Sequence, residues 1–127
     1  MTHDINIHHE DNHESASSYL VEEIRNLLVN SNRDFSIGLS GGNTPKLTYS
    51  MMAEKFDDLS KTFLWTIDDR WIEEDNDLSN QRMINEYFER TDANILKFEF
   101  TSSSPESDAK KYEDKLKSTI QIFDVAI

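Results

Sequence analysis

Apolar residues recur along the chain with two alternating periods. Short apolar runs, typical of buried strands, alternate with longer segments whose apolar residues fall three or four positions apart, as on one face of a helix. Strands are predicted at residues 35–39, 62–67, 95–100 and 122–127, with a short edge strand at 5–8. The apolar helix faces are predicted as Ala16, Leu20, Ile24 and Leu27; Tyr49, Met52, Ala53 and Phe56; Met83, Ile84, Tyr87 and Phe88; and Ala109, Tyr112, Leu116 and Ile120. This alternation predicts an α/β fold with a doubly wound, mainly parallel sheet and right-handed crossovers.

The helix starts are marked by polar residues and prolines. The predicted caps are Asp11 with Glu14 as its capping-box partner, Thr44 before Pro45, Ser79 with Leu78 and Met83 as a hydrophobic staple, and Ser104 before Pro105. Side-chain oxygens at these positions accept the free N–H groups of a first turn, and proline is favoured at the first helical position. The first helix is predicted to end near residues 30–32.

Charge and composition narrow the possible functions. The chain has 127 residues, enough for one domain at most, and 25 acidic against 13 basic residues give a net charge of −12. This acidity argues against broad binding to nucleic acids or anionic membranes, which requires many Lys and Arg residues. The absence of cysteine excludes disulfides and thiolate chemistry. Neither a secretory signal nor an apolar run of about 20 residues is visible, so we expect a cytoplasmic protein.

A glycine loop joins the strand at 35–39 to the next helix. It consists of Ser40, Gly41, Gly42, Asn43 and Thr44. The glycines allow backbone N–H groups to approach an anion, the helix contributes its partial positive charge, and the polar side chains can donate hydrogen bonds. The loop therefore indicates a phosphate site, although a simple tight turn has the same local pattern. The spacing of a P-loop is absent.

A second polar segment follows the strand at 62–67. Asp68, Asp69 and Arg70 are suited to orienting sugar hydroxyls and pairing with phosphate or carboxylate, although a surface ion pair is the alternative. Arg82 falls near the N-terminus of its helix, where a cation is unfavourable against the dipole. It therefore requires an anion, which is either an Asp residue or a ligand phosphate.

The histidines lie only in the first thirteen residues. His9 and His13 have the i, i+4 spacing of metal ligands, but no third ligand is evident, so no metal site is predicted. Residues 14–127 contain no histidine. A hydrolase of this charge type usually needs a base that titrates near neutral pH, and none is visible near the two loops.

Four segments resemble, in order and spacing, the 6-phosphogluconolactonases and the wider group that includes glucosamine-6-phosphate deaminases. They are residues 37–46, 65–71, 77–83 and 123–127. The resemblance implies a Rossmann-like fold and hydrolysis of 6-phosphoglucono-δ-lactone to 6-phosphogluconate in the pentose phosphate pathway, with a phosphosugar as the partner and no cofactor. It also implies that the glycine loop and nearby basic residues hold the phosphate, while residues 68–70 line the lactone site. Asp69 stands where the family has a glutamate.

The family also has characteristic segments beyond the strand that matches residues 123–127. There, this strand leads to a glycine-rich segment whose Asp-Gly-His carries the general base, and a further phosphate-binding segment comes later. The resemblance thus implies that residues 1–127 are the N-terminal portion of a single domain, with a sheet incomplete at the C-terminus and no catalytic residue. We expect this chain alone to be inactive and not to fold robustly.

Two other functions remain open. One is a glucosamine-6-phosphate deaminase or isomerase, although those enzymes typically show Asp-Glu-Tyr where this chain has Asp68, Asp69 and Arg70. The other is a non-catalytic phosphosugar-binding module. The sequence does not indicate an oligomeric state.

Overall fold

Parallel strands form a sheet flanked by helices in the computed structural model, which describes residues 3–127. The elements in chain order are α1 (His13–Val29), β1 (Phe35–Leu39), α2 (Lys46–Lys55), β2 (Thr62–Thr66), α3 (Asn80–Phe88), β3 (Asn94–Leu96), α4 (Pro105–Thr119) and β4 (Val125–Ala126). The strand order is β3-β2-β1-β4, and every neighbouring pair is parallel. The predicted α/β class with a parallel sheet is confirmed.

The strand order shows how the chain winds around the sheet. From β1 the chain moves outward to β2 and β3, and then returns to place β4 on the other side of β1. Because such crossovers are right-handed, α2 and α3 cover one face and α4 covers the other. The order reverses between β1 and β4, and the crevice beyond the carboxyl ends at such a point is where open α/β sheets bind ligands. Residues 40–44 leave β1 at this crevice.

The apolar core lies between the sheet and the layer formed by α1, α2 and α3. β1 is buried at all five positions. The fully buried side chains of this core are Val21, Ile24, Ile37, Leu39, Tyr49, Met52, Leu59, Leu64, Ile84 and Phe88. The predicted apolar faces of α2 and α3 are confirmed, with Met83, Tyr87 and Ala53 partly buried against the same core.

The start and the buried face of α1 differ from the prediction. Asn12 is the cap, and its side chain accepts a hydrogen bond from the Ser15 N–H at 2.8 Å. Asn and Asp cap equally well, so local sequence does not separate Asn12 from Asp11. Val21 is fully buried while Leu27 is 54% exposed, because the face that meets the core lies one residue away from the predicted one.

The start of α2 also lies one residue after the predicted position. Pro45 is the cap residue, with no side-chain hydrogen bond, and Thr44 is exposed. The Lys46 N–H reaches the Asn43 carbonyl at 3.4 Å, so a backbone turn replaces the predicted side-chain cap. The other two caps are confirmed: Ser79 accepts from Arg82 N, and Ser104 accepts from Ser107 N, each at 3.1 Å.

The outer strands are shorter than predicted. β3 ends at Leu96, where its partner strand β2 also nears its end, and the Phe98 N–H then donates to Gln81 Oε1 at 2.9 Å. β4 comprises Val125 and Ala126, which lie opposite Ile37 and Gly38 of β1, and the Ile127 N–H donates to the Gly38 carbonyl at 2.9 Å. The predicted edge strand at residues 5–8 is wrong: these residues form no strand and are exposed, and the sheet edges are β3 and β4.

The predicted buried stripe of α4 is wrong. Ala109 is exposed, and Tyr112, Leu116 and Ile120 are only half-buried. The one buried residue of this helix is Asp108. α4 stands alone on its face of the described structure, so no neighbouring helix covers its sides.

Candidate functional site

The two glycines of the loop at residues 40–44 have different structural roles. Gly42 has φ +86°, a conformation that side chains with a Cβ rarely adopt, and a Cβ there would meet nothing within 4 Å. At Gly41 a Cβ would lie 2.0 Å from Asn80 Oδ1. Gly41 therefore allows the loop to pack against the start of α3, and Gly42 turns the chain and leaves its backbone open to a ligand.

The polar residues of the loop also differ in whether they contact the rest of the fold or face a cleft. The Ser40 N–H donates to the Ile127 carbonyl at 3.0 Å, and the Ser40 carbonyl accepts from the Tyr49 hydroxyl at 2.7 Å, so the backbone of Ser40 serves the fold. Asn43 is exposed and lines a cleft beside the loop. Thr44 is exposed but lies outside the lining of that cleft.

The cleft beside the glycine loop has a volume of about 390 Å³. Its lining comes from the loop and α2 on one side, and from the segment before α3 and α3 itself on the other. The lining residues are Gly42, Asn43, Lys46, Arg70, Asp77, Leu78, Ser79, Asn80, Arg82, Met83 and Glu86. The structure thus brings Gly42 and Asn43 of the loop together with Arg70 and Arg82. It adds Lys46, which the sequence signals only as a basic residue opening the helix after the loop.

The three cations of the cleft are neutralised to different extents. Arg82 donates to Asp77 Oδ1 at 2.5 Å and to Glu86 Oε1 at 3.0 Å, and its pKa is raised by the hydrogen bond to Glu86 and the charge of Asp77. The anion that Arg82 requires is therefore provided here by carboxylates. Arg70 donates to the Leu78 carbonyl at 2.9 Å. Within residues 3–127, neither Arg70 nor Lys46 forms an ion pair with a carboxylate.

Asp69 holds the turn after β2 against the start of α3. Its Oδ1 accepts from the backbone N–H groups of Asn80 and Arg70, both at 2.8 Å, and its Oδ2 accepts from Gln81 N at 2.9 Å. A carboxylate at this position complements the positive end of the helix dipole. Asp69 thus fixes the backbone beside Arg70 and does not line the cleft.

Asp68 lies on another side of this turn. It is exposed and borders a separate cavity of about 270 Å³, together with Asp69, Trp71, Phe98 and Tyr112. Its carbonyl accepts from Thr66 Oγ1 at 2.7 Å and from Asn80 Nδ2 at 3.0 Å. The structure therefore does not place Asp68 in the cleft of the glycine loop.

Two side chains of α4 form hydrogen bonds with the end of β2 and with the turn that follows it, and the sequence does not predict these contacts. The Tyr112 hydroxyl accepts from Thr66 N at 2.8 Å, and burial raises the pKa of Tyr112 to about 12. Asp108 accepts from the Trp71 indole N–H at 3.0 Å. Neither contact has a local sequence signal, because the partners lie 46 and 37 residues apart.

Histidine does not contribute to the cleft lining. His8 stacks on Tyr19 with 3.5 Å between ring centroids, and its Nε2 lies 3.3 Å from Glu10 Oε1. Among residues 3–127, no group of three or more His, Cys, Asp or Glu side chains is arranged to hold a metal ion. No helix in the same part of the chain is both long and apolar enough to cross a membrane.

Known proteins resemble this chain in sequence and in structure. The family described as glucosamine-6-phosphate isomerases/6-phosphogluconolactonase matches residues 8–127. The 6-phosphogluconolactonase of Synechocystis sp. is 34% identical over 91 residues, which are 68% of this chain and 38% of that protein. The 6-phosphogluconolactonase of Thermotoga maritima is 33% identical over 116 residues, which are 86% of this chain and 52% of that protein.

A solved structure agrees with these sequence relatives. The crystal structure of a 6-phosphogluconolactonase from Shewanella baltica superposes with a TM-score of 0.83 at 25% identity, over 92% of this chain and 53% of that one. The chain thus spans about half the length, or less, of the relatives it matches. Because the family match extends over almost all of its residues, the chain belongs to the glucosamine-6-phosphate isomerase/6-phosphogluconolactonase family.

Proposed function

We propose that the protein acts in the hydrolysis of 6-phosphoglucono-δ-lactone to 6-phosphogluconate, in the pentose phosphate pathway and in the cytoplasm. The observation that carries this proposal is the cleft in which the glycine loop faces Lys46, Arg70 and Arg82. The names of the two sequence relatives support the choice of substrate. Residues 1–127 then supply the part of the site that binds the substrate phosphate, and neither nucleic acid, membrane nor cofactor is required.

The chemistry of the cleft suits a phosphate group. The open backbone at Gly42 and Asn43 precedes α2, whose N-terminus carries partial positive charge. Arg70 and Lys46 have charge available for an anion, and charge-assisted hydrogen bonds to phosphate are about twice as strong as neutral ones. Arg82 holds the acidic segment around Asp77 beside the phosphate and adds a weaker attraction, since its own charge is largely compensated.

Hydrolysis requires water to add to the lactone carbonyl and the ring C–O bond to break, which leaves the carboxylate of the product. A base must accept a proton from the water. Residues 14–127 contain no histidine, so we assign binding and orientation of the substrate, and not proton abstraction, to these residues. Asp68, exposed beyond the end of β2, is suited to accept hydrogen bonds from sugar hydroxyls.

The binding part of the proposal is tested by titrating 6-phosphogluconate into the protein, with gluconate as the ligand that lacks phosphate. Arg70→Ala should weaken 6-phosphogluconate binding by about tenfold or more, because a hydrogen bond to a charged group contributes about 1.5–3 kcal/mol. Arg90→Ala, at an exposed arginine outside the cleft, is the matched control. Equal affinity for both ligands, or an unaltered affinity in Arg70→Ala, would refute the phosphate site.

A glycine substitution tests the loop itself. Gly42→Val places a branched side chain at φ +86° and covers the open backbone, so binding of 6-phosphogluconate should be lost. Arg82→Ala should have a smaller effect than Arg70→Ala. Retained binding in Gly42→Val would show that the phosphate lies elsewhere.

A deaminase or isomerase function is the second candidate. Arg70 lines the cleft at the position where those enzymes typically have tyrosine, which favours the lactonase. Titration with glucosamine 6-phosphate separates the two functions: tighter binding of the amino sugar than of 6-phosphogluconate would favour the deaminase. A non-catalytic module would bind phosphosugar without accelerating lactone hydrolysis, and the assay for it is the rate above spontaneous hydrolysis.

A further inference from the structure

Asp108 is a buried carboxylate that the proposed binding of phosphate does not use. It is 1% exposed and lies in the first turn of α4. Its Oδ2 accepts from Trp71 Nε1 at 3.0 Å and from Thr101 N at 2.8 Å, and its Oδ1 accepts from Thr101 Oγ1 at 2.5 Å, with Ser103 Oγ further away at 3.4 Å. One carboxylate therefore connects α4 with the loops that follow β2 and β3.

The N-terminus of α4 does not need this carboxylate as a cap. Ser104 already caps the helix by accepting from Ser107 N, and Pro105 occupies the first turn. Within residues 3–127, the hydrogen bonds accepted by the Asp108 side chain all come from residues outside α4. Burial of a charged group is costly unless it is fully hydrogen-bonded, and an apolar residue fills such a position at lower cost. The carboxylate thus serves the residues of the two loops and not the end of its own helix.

The partner that matters for the cleft is Trp71. It follows Arg70 directly, and its ring packs edge-on against Phe100 with 5.1 Å between centroids. The turn from Asp68 to Trp71 is consequently held at two points: Asp69 binds the start of α3, and Trp71 binds Asp108. Arg70 lies between these anchors, and its side chain makes a hydrogen bond to one backbone carbonyl.

We propose that Asp108 is a positioning residue for the cleft: through the Trp71 indole it holds the turn that carries Arg70 in reach of the substrate phosphate. The inference rests on the proposed function for its ligand, but the placement of Arg70 is a property of the protein without ligand. The two are therefore tested separately.

The first experiment uses the ligand-free 127-residue protein, labelled with ¹⁵N, in the variants Trp71→Phe and Asp108→Asn. Trp71→Phe removes the indole donor together with part of the ring. Asp108→Asn keeps the volume but replaces one acceptor oxygen by an NH2 donor, so the side chain can no longer accept from Trp71 and Thr101 together. The backbone and Nε resonances of Arg70 should shift in Asp108→Asn, which leaves both sequence neighbours of Arg70 unchanged. In Trp71→Phe the readout is the Arg70 Nε resonance, because the backbone of Arg70 responds to any change at its neighbour. Lys115→Met, which removes another α4 tether, the bond from Lys115 Nζ to the Lys97 carbonyl at 2.8 Å, should leave them in place. Unshifted Arg70 resonances in Asp108→Asn would overturn the proposal.

The second experiment measures the affinity for 6-phosphogluconate at a temperature where thermal melts show every variant folded. Trp71→Phe and Asp108→Asn should each weaken binding about fivefold, the double variant should be no weaker than either, and Lys115→Met should match the wild type. In an Arg70→Ala background, Asp108→Asn should have no further effect. The same loss with and without Arg70 would overturn the proposal. A wild-type protein that binds no 6-phosphogluconate would refute the proposed function, and the Arg70 resonances would still decide the positioning role.

Discussion

The two faces of the sheet are stabilised in different ways. On one face, α1, α2 and α3 bury a continuous set of apolar side chains against alternate positions of the strands. On the other, α4 has one buried residue, Asp108, and is tied to the sheet by two hydrogen bonds: the Tyr112 hydroxyl accepts from Thr66 N, and Lys115 donates to the Lys97 carbonyl just after β3. Ile122 and Phe123 remain 53% and 59% exposed near β4. Apolar burial thus stabilises the face covered by α1, α2 and α3, and hydrogen bonds hold α4 on the other face.

This difference matters because the two kinds of contact do different things. Burial of a large apolar side chain stabilises a fold by about 1.5–3 kcal/mol without fixing a precise geometry. A hydrogen bond contributes about 0.5–1.5 kcal/mol but constrains distance and angle. The turn that contains Arg70 is held by a contact of the second kind, the hydrogen bond from the Trp71 indole to Asp108. Substitutions on the two faces should therefore separate loss of stability from loss of site geometry.

The largest effect on stability is expected on the face of the sheet that α1, α2 and α3 cover. Phe88→Ala should reduce the free energy of unfolding by about 3–5 kcal/mol, because Phe88 is fully buried between the sheet and its neighbouring helices. Leu116→Ala on half-buried α4 should cost less than half as much. Urea unfolding followed by circular dichroism measures both. Equal losses of unfolding free energy would mean that the side chains of α4 are packed as tightly as those on the other face of the sheet.

An intermediate effect is expected at the contact between α4 and the end of β2. Tyr112→Phe removes the acceptor of the Thr66 N–H while retaining the ring, and a buried donor left without a partner costs about 1–3 kcal/mol. The same urea experiment measures the loss. A variant as stable as the wild type would show that this hydrogen bond is not needed to hold α4 on the sheet.

Acid should reduce the stability of the contacts between α4 and the loops by protonating Asp108. Hydrogen bonds from Thr101, and then from Trp71, lower the pKa of Asp108 from its ordinary value of 3.8 to about 2. Since the folded pKa is the lower one, its stabilisation is complete above the unfolded pKa and is lost as the pH falls from about 4 towards 2. Thermal melts between about pH 6 and pH 2 measure this loss. The melting temperature of the wild type should fall more steeply below about pH 4 than that of Asp108→Asn. The same dependence of melting temperature on pH in both proteins would show that this stabilisation does not come from Asp108.

The smallest effect is expected at Leu27, which the helical pattern predicts in the core and the structure exposes. Leu27→Ala should change the free energy of unfolding by no more than about 0.5 kcal/mol. Ile24→Ala, one turn earlier on the buried face, should cost about 2–5 kcal/mol. A large loss at Leu27 would indicate that this side of α1 is covered in solution.

Local patterns in the sequence determined much of this fold. The five-residue strands β1 and β2, the caps Ser79 and Ser104, and the glycine loop all depend on residues close together in the chain. Short-range sterics and hydrogen bonding are sufficient to predict such features. The family segments also indicated the kind of site and its position after β1, although the roles of the individual site residues stay predictions.

Only the tertiary structure decided which polar side chains meet. Asp69 reaches the start of α3 across 11 and 12 residues, and Asp108 reaches Trp71 across 37, so neither partnership has a periodic signature in the chain. The same holds for the short β4, for the exposure of Leu27 and for the half-buried α4, since each depends on what covers a surface. Sequence specifies the local conformations, but the contacts of buried charges and outer faces are determined when distant segments pack together.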